Sequence, residues 1–258
     1  MNFLGETMTF KKWILVVGGL VGSIALGVCL TFFPPSFLRV KEVVLLNQPK
    51  HVSEFDLIRL SGITKEAPLL TLQLSKVRKQ ILRFPWIREV ELSKRFPGRL
   101  LIEVQEQVPV ALLELESLYF VNAQGIIFKK LETGDPKDLP ILTGLKPEDL
   151  KTQLAPLISL LQRFDRSESI KTLGISEIHQ SEHGDISLFT KEPCFRVELG
   201  DVEWLDRLDR LAIAWKTIQA TATHIRVVDM SFEKRIIVKQ DNSQTRFEKI
   251  KQEVIKDG

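Results

Sequence analysis

Apolar residues run without a charge from Trp13 to Phe33. That is about the twenty positions an α-helix needs to cross a bilayer at roughly 1.5 Å per residue. Lys11 and Lys12 precede the run, Trp13 stands where an interfacial aromatic is expected, and Pro34-Pro35 ends it. The pattern predicts one uncleaved membrane-spanning helix over 13–33. A cleaved signal peptide has a shorter apolar core and a small-x-small site. A lipoprotein signal ends in small residues before its cysteine, and in Leu26-Gly27-Val28-Cys29 the valine is bulky. Lys11 and Lys12 on one side nearly balance Arg39 and Lys41 on the other, so charge alone leaves the orientation open.

Beyond the apolar run the periodicity changes. Val40 to Leu46 is β-prone and ends in the turn signal Asn47-Gln48-Pro49. Ser53-Glu54-Phe55-Asp56 has the form of a capping box and opens a short helix that Ser61-Gly62 closes. Ser75 to Arg83 repeats Val77, Ile81 and Leu82 at helical spacing, with Leu74 stapling its start and Pro85 stopping it. Trp86 to Leu92 reads as a strand with an irregular start, and Trp86 itself as a core aromatic. Leu100, Ile102 and Val104 alternate with polar neighbours, and Phe96-Pro97-Gly98 joins the two strands as a hairpin. The order strand-helix-helix-strand-strand predicts a small α+β domain over 38–108.

After Pro109 short apolar runs alternate with turn residues. Leu118–Val121 and Ile126–Phe128 flank Asn122-Ala123-Gln124-Gly125 as a second hairpin, and Leu139–Gly144 is extended. Leu150–Phe164 is helical in pattern, with Pro156 near its first turns. Strands are predicted over 170–178, 186–189 and 195–199, and a final pair over 225–230 and 235–238. Between them Trp204–Ile218 carries the stripe Leu205, Leu208, Leu211, Ala212 and Trp215, with Asp206, Arg207, Asp209 and Arg210 as its solvated face. This predicts a β-rich domain with packing helices over 109–240, then a polar tail over 241–258.

Composition narrows the function. The 258 residues are 44% hydrophobic and 27% charged, which is globular. A net charge of +3 without runs of like charge gives nucleic-acid binding little support. Cys29 lies in the apolar run, so it cannot pair with Cys194, and neither a disulfide framework nor a zinc site is expected. His179 and His183 are spaced i, i+4, but Ser181 and Gly184 make that segment a turn, so no metal site is predicted. No Gly-x-Ser-x-Gly elbow occurs. The chain is therefore expected to have no catalytic residues, cofactor or small-molecule substrate, and to work by binding.

The fragments Phe84-Pro85-Trp86-Ile87, Arg95-Phe96-Pro97, Leu100-x-Ile102-x-Val104-x-Glu106 and Pro109-Val110-Ala111 occur in that order. Downstream come Val121-Asn122-x-x-Gly125-x-x-Phe128, Leu139–Gly144, Val197-x-Leu199-Gly200 and Val228-Asp229-Met230. Together, behind an N-terminal anchor, they resemble the FtsQ/DivIB family of bacterial cell-division proteins. Three positions depart from the family pattern. Asn47 stands where glycine is frequent and is expected to tolerate a left-handed turn; Glu106-Gln107-Val108-Pro109 replaces Glu-Arg-x-Pro; Ser231 replaces an arginine. The resemblance implies a cytoplasmic tail over 1–12, a single inner-membrane span, a POTRA domain and a β-domain outside the cytoplasm. It also implies a place at the division septum, partners of the FtsL and FtsB/DivIC type, and non-catalytic control of septal peptidoglycan synthesis. Two rivals are a POTRA protein of envelope transport or assembly, whose barrel the chain is too short to supply, and an anchored envelope enzyme.

The expected docking site is the last sheet edge, where unpaired N–H and C=O groups can accept a partner strand. Ser231 to Gln240 is predicted to form it, with Phe232 and Ile236 on one face and Lys234 between them. The candidate partner-binding residues are Asp229, Ser231, Phe232, Lys234, Arg235, Ile236, Ile237 and Val238.

Overall fold

A computed structural model describes residues 10–32, 39–64 and 67–241. Most of the expected cytoplasmic tail, Phe33 with Pro34-Pro35, and the tail after Asp241 lie outside the described residues. The first helix, α1, spans Phe10–Phe32, and its described side chains, 13–29, are all exposed. Among the described residues no helix is long and apolar enough to cross a membrane. The chain then divides into two compact units between Gln107 and Val108.

The first unit is an α+β layer pair. Its strands are β1 (Glu42–Leu45), β2 (Ile87–Arg95) and β3 (Arg99–Glu106), and its helices α2 (Glu54–Ser61) and α3 (Leu74–Ile81). The sheet order is β1-β3-β2, with β1 parallel and β2 antiparallel to β3. Ser53 caps α2 by accepting the Asp56 N–H at 3.1 Å, and Gly62 ends it in a left-handed conformation. Leu74 is the first residue of α3 rather than a staple before it, and α3 stops at Ile81, a turn earlier than Pro85 requires. Gly98, at φ +71, lets the hairpin tip lie against the chain entering β1: a Cβ there would stand 2.6 Å from the Arg39 carbonyl oxygen. β2 has its irregular start as a bulge between Ile87 and Glu89.

Trp86 is 3% exposed, in a core with Leu57, Val77, Ile81, Ile102 and Val104. His51 stacks on the Trp86 ring with centroids 3.8 Å apart. Its loop is held by Glu106, which accepts the backbone N–H of Lys50 at 2.8 Å and of His51 at 2.7 Å. Asn47 is not left-handed. Its side-chain amide donates to the Val104 carbonyl at 2.6 Å and accepts the Val104 N–H at 3.1 Å, so a side chain continues the β1–β3 ladder where the backbone leaves it.

The second unit is a nine-stranded mixed sheet. Its strands are β4 (Pro109–Glu114), β5 (Leu118–Asn122), β6 (Ile127–Lys130), β7 (Ile141–Thr143), β8 (Ile175–Gln180), β9 (Ile186–Thr190), β10 (Arg196–Gly200), β11 (Ile225–Asp229) and β12 (Ile237–Gln240). They stand in the order β12-β11-β10-β9-β8-β7-β4-β5-β6. Two helices, α4 (Leu150–Arg166) and α5 (Trp204–Thr221), share one core with the sheet through Leu157, Phe164, Leu208, Leu211 and Trp215. Arg163 joins the helices, donating to both carboxylate oxygens of Asp209 at 2.9 and 2.6 Å. β4 had no counterpart among the expected strands, and Pro156 lies within the first turns of α4 as expected. The strand expected over 170–178 is a 3-10 turn at Lys171–Leu173 followed by β8.

Candidate partner-binding edge

β11 enters the sheet beside β10 because α5 carries the chain back across it, so the two strands run parallel, with Val197 opposite Val228 and Glu198 opposite Asp229. β12 then folds back antiparallel, pairing Asp229 with Ile237, Val228 with Val238 and Val227 with Lys239. Among the described residues it is the sheet's terminal strand, with no strand paired on its far side. Val228 belongs to the helix-covered core, and Ile236 and Val238 pack partly buried against it. Lys239 and Gln240 are exposed.

The segment from Ser231 to Ile236 is not part of this strand. The strand expected over 231–240 is four residues long, Ile237–Gln240, and what precedes it is the connection from β11. Phe232, Lys234 and Ile236 therefore do not alternate on one strand. Asp229, 8% exposed, turns the chain by accepting the Ser231 N–H at 3.0 Å and its hydroxyl at 2.6 Å. Arg210 donates to the Phe232 carbonyl at 3.0 Å, and the Arg235 guanidinium lies 4.2 Å from the centre of the Phe232 ring. Of the eight candidates, Ile237 and Val238 lie on the edge strand, Asp229 and Ser231 shape the turn, Ile236 packs against the core from the connection, and Phe232 and Arg235 meet there. Lys234 is exposed there.

Two residues that build this corner were assigned to the solvated face of α5. Arg207 is buried at 7% exposure and donates to the Leu199 carbonyl at the end of β10. It passes over Gly200, which has φ +76 and no room for a Cβ under the guanidinium. Arg207 thus fixes the end of β10, and Arg210 the connection between β11 and β12. The signal was the Leu199-Gly200 pair, whose glycine leaves space for a large neighbour. Leu205, expected in the apolar stripe, is 44% exposed, and Ile218 takes part in the core instead.

Chemistry elsewhere is sparse. The Thr143 hydroxyl donates to Glu177 at 2.6 Å and meets His179 Nδ1 at 2.7 Å, which cross-links β7 to β8. Among the described residues no group of three or more His, Cys, Asp or Glu could hold a metal ion.

Comparison with known proteins agrees with both units. Residues 38–107 match a POTRA domain of FtsQ type, and residues 111–231 match the C-terminal region of cell division protein FtsQ/DivIB. The cell division protein FtsQ of Geobacter sp. (strain M21) is 30% identical over 206 residues, covering 77% of this chain and 75% of that protein. The chain belongs to the FtsQ/DivIB family of cell-division proteins. FtsQ of Geotalea daltonii is 28% identical over 242 residues, covering 89% of this chain and 88% of its own. FtsQ of Syntrophotalea carbinolica is 26% identical over 250 residues, covering 90% and 88%. The first unit is therefore a POTRA domain and the second the family's β-domain. The C-terminal match ends at Ser231, before β12 begins.

Proposed function

We propose that this chain is a membrane-anchored, non-catalytic scaffold of the division complex. Residues 1–12 form a cytoplasmic tail, 13–33 anchor the chain in the inner membrane, and the POTRA domain (38–108) and β-domain (109–240) lie outside the cytoplasm, with 241–258 as a tail. The uninterrupted apolar run and the family's place in cell division support this topology. A reporter active only in the cytoplasm, fused after Gly258, should be silent; full activity would reverse it.

The open side of β12 carries the binding hypothesis. An extended segment of an FtsL- or FtsB/DivIC-type protein adds to it as a tenth strand, and the complex so assembled regulates septal peptidoglycan synthesis. Backbone bonds supply affinity. Ile237, Val238 and the Phe232–Arg235 pair supply selectivity, with Arg235 bringing a guanidinium to a corner where Ser231 replaces the family's arginine. The test is a proline scan over Ile237–Gln240, reading binding of synthetic extracytoplasmic segments of such partners together with circular dichroism. Proline lacks the N–H, so positions facing away from β11 should lose binding by about tenfold or more and stay folded. Parental binding in every folded variant would move the partner elsewhere.

A further inference from the structure

We propose that the start of α5 carries a second docking groove, for a partner segment that places an apolar side chain beside lysine or arginine. The chain enters α5 sharply. Glu203 is left-handed (φ 54, ψ 35), which is uncommon for a residue with a side chain, and no side chain caps the helix. A cavity of about 600 Å³ opens between this entry and the exposed face of α4 at Pro156 and Ser159. Its apolar part is Pro156, Val202 and Leu205, the last two 51% and 44% exposed. Three carboxylates, Asp201, Glu203 and Asp206, share the lining, and among the described residues no basic side chain does.

The charge selects the occupant. A chain of net charge +3 here gathers three negative side chains around exposed aliphatic surface. Anionic lipid, nucleic acid and acidic peptides are repelled, and cations are attracted. The apolar floor gains from covering by another apolar group, while the carboxylates need solvent or a cationic partner when covered. Lysine and arginine meet both demands, because their aliphatic stems lie on apolar surface while the charged ends reach the rim. Trp204 also lines the groove, and its indole N–H is buried with no acceptor among the described residues. The groove shares no residue with the β12 edge, so the two readings stand or fall separately.

The experiment uses the full chain in nanodiscs of zwitterionic lipid and a short labelled peptide of alternating leucine and lysine, read by fluorescence anisotropy. A leucine–glutamate peptide is the control. The lysine peptide should bind and the glutamate peptide should not. The double variant Asp201→Asn/Asp206→Asn and the separate variant Leu205→Ser should each weaken binding about tenfold. These residues are exposed, so the variants should fold, and Val238→Pro in β12 should leave this binding unchanged. Equal binding to parent and double variant, binding of both peptides, or binding of neither would overturn the proposal. So would self-association of the chain that Leu205→Ser abolishes, which would give the groove to a second copy.

Discussion

The outer strands of the two sheets are built in opposite ways. β2, at one edge of the POTRA sheet, presents Arg88, Glu89, Glu91, Ser93 and Arg95 to solvent along its nine residues. β12, at the edge of the β-domain, is four residues long and begins with half-buried Ile237 and Val238. Among the described residues both are paired on one side only. Charges along an edge discourage a second strand, whereas half-buried aliphatics are covered further when one arrives. The comparison teaches that two edges with the same backbone chemistry can differ wholly in the side chains that border them.

The units also differ in how their stability is concentrated, and the largest expected effect tests this. Trp86→Ala removes a buried aromatic from a small core and should cost about 3–5 kcal/mol, seen as a lowered calorimetric transition of the POTRA domain with the β-domain transition unmoved. An unchanged transition would make Trp86 a surface contact. Asn47→Ala leaves both main-chain groups of Val104 without their side-chain partner and should cost about 1–3 kcal/mol in the same transition. Asn47→Gly separates the two accounts of this position: it should be as damaging as alanine if the amide matters, and neutral if only backbone freedom does.

The contrast between edges sharpens with a matched pair of proline scans. Proline in β12 should lower binding of the partner segment by about tenfold, while proline at outward-facing positions of β2 should not change it. Equal losses in both scans would mean that the charges on β2 guard nothing. The smallest effect concerns Arg163 and Asp209. The hydrogen bonds from Arg163 outweigh partial burial and hold the Asp209 carboxyl below the usual carboxylate range. Its contribution is present above the unfolded carboxyl pKa of about 3.9 and is lost as pH falls through the lower folded value. Asp209→Asn should therefore leave a small stability deficit at pH 7 that disappears in acid; a deficit constant with pH would assign the loss to packing.

Legibility followed the kind of signal each residue carries. The POTRA elements were readable because Ser53, Gly62 and Phe96-Pro97-Gly98 act locally, through caps and turns that involve few neighbours. β4 was missed because Pro109-Val110-Ala111-Leu112-Leu113 has no alternation: it is a central strand, with Ala111, Leu112 and Leu113 all buried. Arg207 was misplaced because periodicity sees one helix at a time, and its partner is a carbonyl at the end of another element. Of the edge, Ile237 and Val238 were legible from β-propensity. The turn made by Asp229 and Ser231, which shortens the strand, depends on a side chain bonding its own backbone two residues on.

The order of synthesis adds a consequence of β12 being last in sequence among the described strands. A chain emerging from its N-terminus has every strand of the POTRA sheet in hand at Glu106, but the outermost strand of the β-domain only at Gln240. Among the described strands β12 pairs only with β11, and β11 reaches β10 only across α5. A truncation before Ile237 would leave β11 as the border, with a different sequence and its N–H groups presented to a different register. The edge proposed to bind a partner is thus made only after every other described strand of the β-domain.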